Sequence, residues 1–323
     1  NPYGPSPSAL AAIRESAARG CYYADRAPAT LAQIIAERHG LSPAQVVIGS
    51  GSSEVLAAIA LAWGREGRIL APGLFWDSTV RYAQNQGVEV VRVPMTAGLD
   101  VDLPAMSAAF DETISLVQIC NPNNPTGMLV DAAAMRAFAA QMAPRATLLV
   151  DEAYNELAES PDTNTVMDMV RAGEDVIVCR TFSKIYGLAG MRIGYALTSE
   201  AHAAKIRSFM MSSGIVTGLA AAIASFNDHA WLERSRAMIV EGREMIYAAA
   251  ARAGVRALPS HTNFVFLEVP DAAAVQAAMA ERGVMIRGPY GALTGWSRVS
   301  TGLLPDVARY AAALPEVIDR LNA

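Results

Sequence analysis

Lysine is nearly absent from this 323-residue sequence: Lys184 and Lys205 are the only two, and arginine supplies the other 24 of its 26 cations. Cysteine is scarce too. Cys21, Cys120 and Cys179 are odd in number, widely spaced and free of any CxxC pair. That excludes a disulfide framework or a thiolate zinc site and fits a reducing, cytoplasmic setting. The four histidines, His39, His202, His229 and His261, show no His-x-x-x-His spacing, and there is no GxSxG elbow. Metal hydrolysis and Ser-His-Asp catalysis therefore have no anchor, and no metal site is expected. A basic excess is missing as well: the formal charge is −5, which removes bulk attraction for nucleic acid or an anionic bilayer. The longest apolar stretch, 214–226, is interrupted by Thr217, Gly218 and Ser225, so it reads as a buried helix rather than a membrane span. The opening Asn1-Pro-Tyr-Gly-Pro5 has neither a charged n-region nor an apolar h-region, so no signal peptide is expected. It also lacks an initiator Met, and an upstream segment is expected.

What is present is material for a large core, with 52% hydrophobic and 18% charged residues. Between about residues 30 and 200, helical patterns alternate with short β-branched runs at 45–48, 68–70, 88–93, 114–119, 146–150 and 176–179. This alternation predicts an α/β domain with a mostly parallel sheet. Polar and Gly/Pro-rich clusters follow these runs directly, where open α/β sheets gather their ligand-binding loops. Beyond residue 200 the pattern changes to a long alanine-rich helix over 217–253. A smaller α+β unit follows, with strands at 263–269, 284–287 and 297–300 and helices at 271–282 and 305–321.

Arg180-Thr-Phe-Ser-Lys-Ile-Tyr-Gly-Leu-Ala-Gly-Met-Arg192 places Lys184 just after a buried strand, with hydroxyls at Thr181 and Ser183 and a cation at Arg192. An amine beside other cations and an apolar wall loses its preference for the ammonium form and becomes a nucleophile suited to Schiff-base chemistry. The plainer alternative is a solvated surface lysine. Asp151 ends an apolar strand, where a carboxylate needs a cation such as a protonated pyridine nitrogen, or else caps the next helix. Asn121-Pro-Asn-Asn-Pro-Thr-Gly127 fixes Asn124 at a strand end, or is only a turn. Gly49-Ser-Gly-Ser-Ser-Glu54 offers backbone N–H groups at a helix start to a phosphate. A dinucleotide fingerprint would need glycine at position 54, where Glu54 stands.

With Asn1-Pro-Tyr-Gly-Pro-Ser-Pro7 and Ser297-Arg-Val-Ser-Thr-Gly302, these motifs in this order resemble the fold type I pyridoxal 5′-phosphate (PLP) aminotransferases, most of all their histidinol-phosphate aminotransferase branch. The resemblance implies an α/β fold with a large, mostly parallel-sheet cofactor domain and a smaller α+β domain built from both chain ends. Residues 1–29 would join the small domain, 30–215 form the large PLP-binding domain, and 216–323 supply the linking helix and the rest of the small domain. It implies that Lys184 forms the Schiff base and moves the proton, that Asp151 holds the pyridine nitrogen protonated, and that Asn124 and Tyr154 bond the ring's phenolate oxygen. Ser52, Ser53, Thr181, Ser183 and Arg192 would hold the phosphate, and Trp76 would stack on the ring. Arg298, helped by Arg287, would take the substrate's carboxylate, with Tyr3 in a segment that closes over it.

Tyr23 would reach the neighbouring subunit's phosphate in a homodimer. The implied partners are a small-molecule amino donor and a 2-oxo acid, with histidinol phosphate or an aromatic or bulky amino acid as donor and 2-oxoglutarate as acceptor. The sequence departs from the branch at Ala24, where proline follows the tyrosine, at Ser53, where aspartate is usual, and at 210–215, where a Pro-Phe/Tyr-Asn-Val segment is common. A decarboxylase resembling the threonine-phosphate enzymes, and a non-catalytic PLP-binding sensor, are the alternative functions.

Overall fold

The computed structural model describes residues 1–211 and 214–322. Of the segment 210–215, Ser212 and Ser213 lie outside the described residues. The chain opens with α1 (Pro7–Ser16) and α2 (Ala27–His39), then alternates β1 (Val46–Ser50), α3 (Ser52–Gly64), β2 (Arg68–Pro72), α4 (Ser78–Asn85), β3 (Val90–Val93), α5 (Leu103–Ala109) and β4 (Ile114–Cys120). It continues through α6 (Ala132–Met142), β5 (Thr147–Asp151), α7 (Met167–Ala172), β6 (Val176–Thr181), β7 (Ile193–Leu197) and α8 (Glu200–Arg207). The last part comprises α9 (Val216–Phe226), α10 (His229–Arg252), β8 (Phe264–Glu268), α11 (Ala272–Glu281), β9 (Trp296–Ser300) and α12 (Leu304–Asn322).

Seven strands form one sheet in the order β1-β7-β6-β5-β4-β2-β3, with β7 alone running against its neighbours. Its central strands are apolar throughout because both faces are covered. Alternation sorts their side chains: Leu148, Val150, Val176 and Val178 enter one core, while Leu149, Ile177 and Cys179 enter another with Val55, Ile59 and Ile206 of α3 and α8. Helix starts are fixed by side-chain oxygens: Ser6, Asp102, Asp131, Ser199 and Asp271 each accept from a first-turn N–H. A third core joins β8, β9, α11 and α12 to the C-terminal half of α10.

Two features differ from the sequence reading. The single helix expected over 217–253 is two, because Asp228 accepts from the N–H of Trp231 and starts α10 afresh. The strand expected at 284–287 is reduced to one bridge between Arg287 and Arg298, leaving a two-stranded small sheet. Ala9 of α1 and Leu219, Ala222 and Phe226 of α9 enter the core of the large sheet. The apolar faces of α1 and α9 cover each other there.

Candidate active site

The carboxyl ends of β1, β4, β5 and β6 open toward one side of α3. Gly51 precedes α3 at φ 79°, a left-handed value that glycine adopts without strain. The guanidinium of Arg192 lies where a Gly51 side chain would be, and Gly194 of β7 abuts the backbone nitrogen of Ser52. Two glycines thus let β7 and Arg192 close on the start of α3. With glycine at the cap, no side chain occupies the end of the helix, where the dipole is positive. Ser52, Ser53, Thr181, Ser183 and Arg192 together line this end of a ≈ 190 Å³ cavity. Thr181 Oγ1 donates to Ser183 Oγ at 3.0 Å, and Arg192 Nη1 to the carbonyl of Ala189 at 2.8 Å. Grouped hydroxyls, a guanidinium and a helix N-terminus make an anion cradle.

Asp151, Asn124, Tyr154, Trp76 and Lys184 line the same cavity. Asp151, 4% exposed, accepts from the N–H of Ala153 at 3.2 Å and makes no ion pair among the described residues. Burial raises its carboxyl from the ordinary 3.8 to about 6. Lys184 is half-buried, its Nζ 4.9 Å from the Tyr154 ring centroid. Its pKa falls below the usual lysine range mainly through burial, and Arg298 and Arg192 add to this against the pull of Asp151. Asn124 Nδ2 donates to the Tyr154 hydroxyl at 3.3 Å, and Asn124 Oδ1 accepts from Arg298 Nη1 at 2.7 Å.

Trp76, Asn124, Tyr154 and Lys184 also border a larger ≈ 940 Å³ cavity toward the small sheet, where Arg298, Arg287 and Tyr290 stand. Arg298 sits 4.6 Å from the Phe264 ring centroid, and its Nε is buried without a partner. Tyr3 and Tyr23 are not brought in. The Tyr3 hydroxyl reaches the carbonyl of Gly302 at 3.4 Å, and Tyr23 is 92% exposed on the surface beside Gly214 and Ile215. Sequence reasoning missed Cys120, Phe264 and Tyr290, which line the two cavities. Cys120 ends the strand beside Asp151, a signal that strand pairing alone could have supplied. Also missed was the buried ion pair of Glu152 with Arg180, at 2.8 Å.

Residues 1–314 match the model of the aminotransferase class I and II family. The chain belongs to that family. It is 36% identical to "Histidinol-phosphate aminotransferase 1" of Dechloromonas aromatica over 98% of this chain and 88% of that protein. A histidinol-phosphate aminotransferase of Symbiobacterium thermophilum is also 36% identical, over 97% and 87%. Among solved structures, the histidinol-phosphate aminotransferase of Sinorhizobium meliloti in complex with pyridoxal-5′-phosphate superposes with a TM-score of 0.88 at 33% identity, covering 99% and 89%. The protein is a PLP-dependent transaminase of fold type I. Three features of the aminotransferase fit its cofactor: a buried carboxylate lacking a cation, an amine beside it, and an anion cradle at a helix start. Among the described residues, no helix of this transaminase is long and apolar enough to cross a membrane.

Proposed function

We propose that the transaminase moves an amino group between histidinol phosphate, or an aromatic or similarly bulky amino acid, and 2-oxoglutarate. The observation that carries this reading is the convergence of Lys184, Asp151 and Arg298 on two adjoining cavities, with Asn124 and Tyr154 shared or bonded between them. The names and near-complete coverage of the relatives support histidinol phosphate as the donor. PLP, when bound, supplies a protonated ring that draws electrons from the breaking bond at the donor's amino carbon.

In this reading Lys184 Nζ is the covalent attachment point for the cofactor. Its pKa, lowered mainly by burial, would favour the neutral amine that could carry the proton from the donor's amino carbon. Asp151, largely ionised at neutral pH, holds the proton on the pyridine nitrogen. The Asn124 and Tyr154 side chains bond the phenolate oxygen. Ser52, Ser53, Thr181, Ser183 and Arg192 hold the phosphate, and Trp76 covers the ring. Arg298, with its buried unpartnered Nε, takes the donor's acidic group in a planar fork, and Arg287 assists from the cavity's exposed side. Tyr3 lies in the segment that closes over the substrate.

A homodimer completes the proposal, with Tyr23 reaching the neighbouring phosphate. Support comes from Tyr22 and Tyr23, 70% and 92% exposed, beside the exposed Ile215, an apolar patch of the kind that partners cover. The three unpaired thiols favour a cytoplasmic location. The test is a donor panel of histidinol phosphate, phenylalanine, tyrosine, alanine and threonine phosphate, read by loss of the visible cofactor band. Borohydride treatment should leave a permanent mass increase on the Lys184 peptide. Labelled carbon dioxide in place of a keto product would overturn transamination in favour of decarboxylation.

A further inference from the structure

A third cavity, ≈ 590 Å³, opens on the other face of the sheet between α2, α7, α10 and the loop after β5. That volume is within the range of small-ligand sites. Alternation along β5 and β6 turns Asp151 to the α3 side and Arg180, with its partner Glu152, to this one. Ile185 and Tyr186, directly after Lys184, form part of its wall. The cavity is therefore separate from those around Lys184 but borders the same loop.

Its polar groups are incompletely matched. Arg180 is satisfied by Glu152 and Thr165. Arg38 donates to the Phe226 carbonyl and Asn227 Oδ1, and Arg236 to the carbonyls of Ala158 and Glu159. These acceptors are neutral, so neither guanidinium makes an ion pair among the described residues, and Arg38 also lies 3.7 Å over the Phe226 ring. Arg171 makes no hydrogen bond or ion pair among the described residues. On the floor Asn155, 2% exposed, donates to the Pro161 carbonyl, yet its Oδ1 is buried with no donor. His39 Nε2 is likewise buried and unpartnered. Burial, then the fields of Arg180, Arg38 and Arg171, hold His39 down to about 3, so its ring adds no charge to the cavity at neutral pH. Three carboxyls share the cavity: Asp162 and Glu233 at the exposed rim, and Glu156, whose pKa burial raises against the pull of Arg180 and Arg38.

We propose that this cavity binds a small anion carrying a hydrogen-bond donor, its acidic oxygens meeting Arg171 and Arg38 and its donor meeting Asn155 Oδ1. A phosphate monoester and an amino acid share that chemistry. Hydrogen phosphate and glycine are the probes, titrated calorimetrically into the holoenzyme, whose own cofactor keeps phosphate out of the cradle at α3. Saturable binding is expected, weakened roughly tenfold by Arg171→Ala or Arg38→Gln, the loss of one charge-assisted contact. Arg298→Ala should leave it unchanged.

Arg171 is an exposed residue in the last turn of α7, where alanine is a good helix former. Unaltered circular dichroism and turnover are expected for that variant, and Arg171→Lys should recover part of the affinity. Binding of phosphate alone assigns a phosphate monoester, and binding of glycine alone an amino acid. No saturable heat with either probe would overturn the proposal, as would binding lost in Arg298→Ala but retained in Arg171→Ala. The readout is independent of the amino donor, so failure of histidinol phosphate as a substrate would leave it standing.

Discussion

Asp151 is a buried carboxylate with no ion pair among the described residues, and this has a measurable cost in the cofactor-free chain. Its carboxyl binds a proton more tightly in the folded state, at about 6, than at the ordinary 3.8. Below about pH 4 both states are protonated and nothing is lost. As pH rises through 6, ionising the buried group removes on the order of 3 kcal/mol. Asp151→Asn keeps the shape without the charge. Without cofactor this variant should therefore melt at a higher temperature than wild type at pH 8, with the gain shrinking through pH 6 and vanishing near pH 4. With PLP added, the order at pH 8 should reverse, because asparagine cannot hold the ring proton. Lys184→Ala is the companion test: turnover should fall at least roughly 10³-fold, since in the proposed reading the attachment point and proton carrier leave together. Stopped assays on the purified variant check this, and retained turnover would remove Lys184 from the reaction.

The loops that meet around α3 show why much of the site was legible in the sequence. Each cluster follows its strand immediately, so strand end and loop are encoded within a dozen residues, as in Gly49–Glu54 or Thr181–Arg192. Pairings between distant segments were not legible. β7 escaped because its five residues, with Gly194 and a single β-branched side chain at Ile193, lack the β-branched run that marks β4, β5 and β6. Cys120, Phe264 and Tyr290 enter the cavities through contacts across the sheet or between cores, which no local spacing records. The closest approach is between β7 and α3, and it yields a prediction. A methyl group at Gly194 would overlap the backbone of Ser52, and backbone has no rotamer with which to yield. Gly194→Ala should cost about 2 to 4 kcal/mol and weaken PLP binding by displacing the cradle. Gly190→Ala, with open space around it, should change neither. Thermal melts and cofactor titration of the two variants separate the effects.

At the scale of the whole molecule, the small core meets the cofactor region through Arg298, whose Nη1 is held by Asn124 of the large unit. Tyr23, outside both cavities of its own chain, is the proposed phosphate contact to a partner. Tyr23→Ala alone should weaken cofactor affinity roughly tenfold, the worth of one hydrogen bond to a charged group. Mixing decides whether the contact crosses between chains. In a heterodimer of Lys184→Ala and Tyr23→Ala chains, a crossing tyrosine places both lesions in one site and leaves the other intact. At a cofactor concentration too low to load Tyr23→Ala, random exchange of equal amounts should restore about a quarter of wild-type turnover, since half the dimers are mixed and each holds one intact site. If Tyr23 served its own chain, every mixed site would carry one lesion, and the mixture would show only the average of its parents.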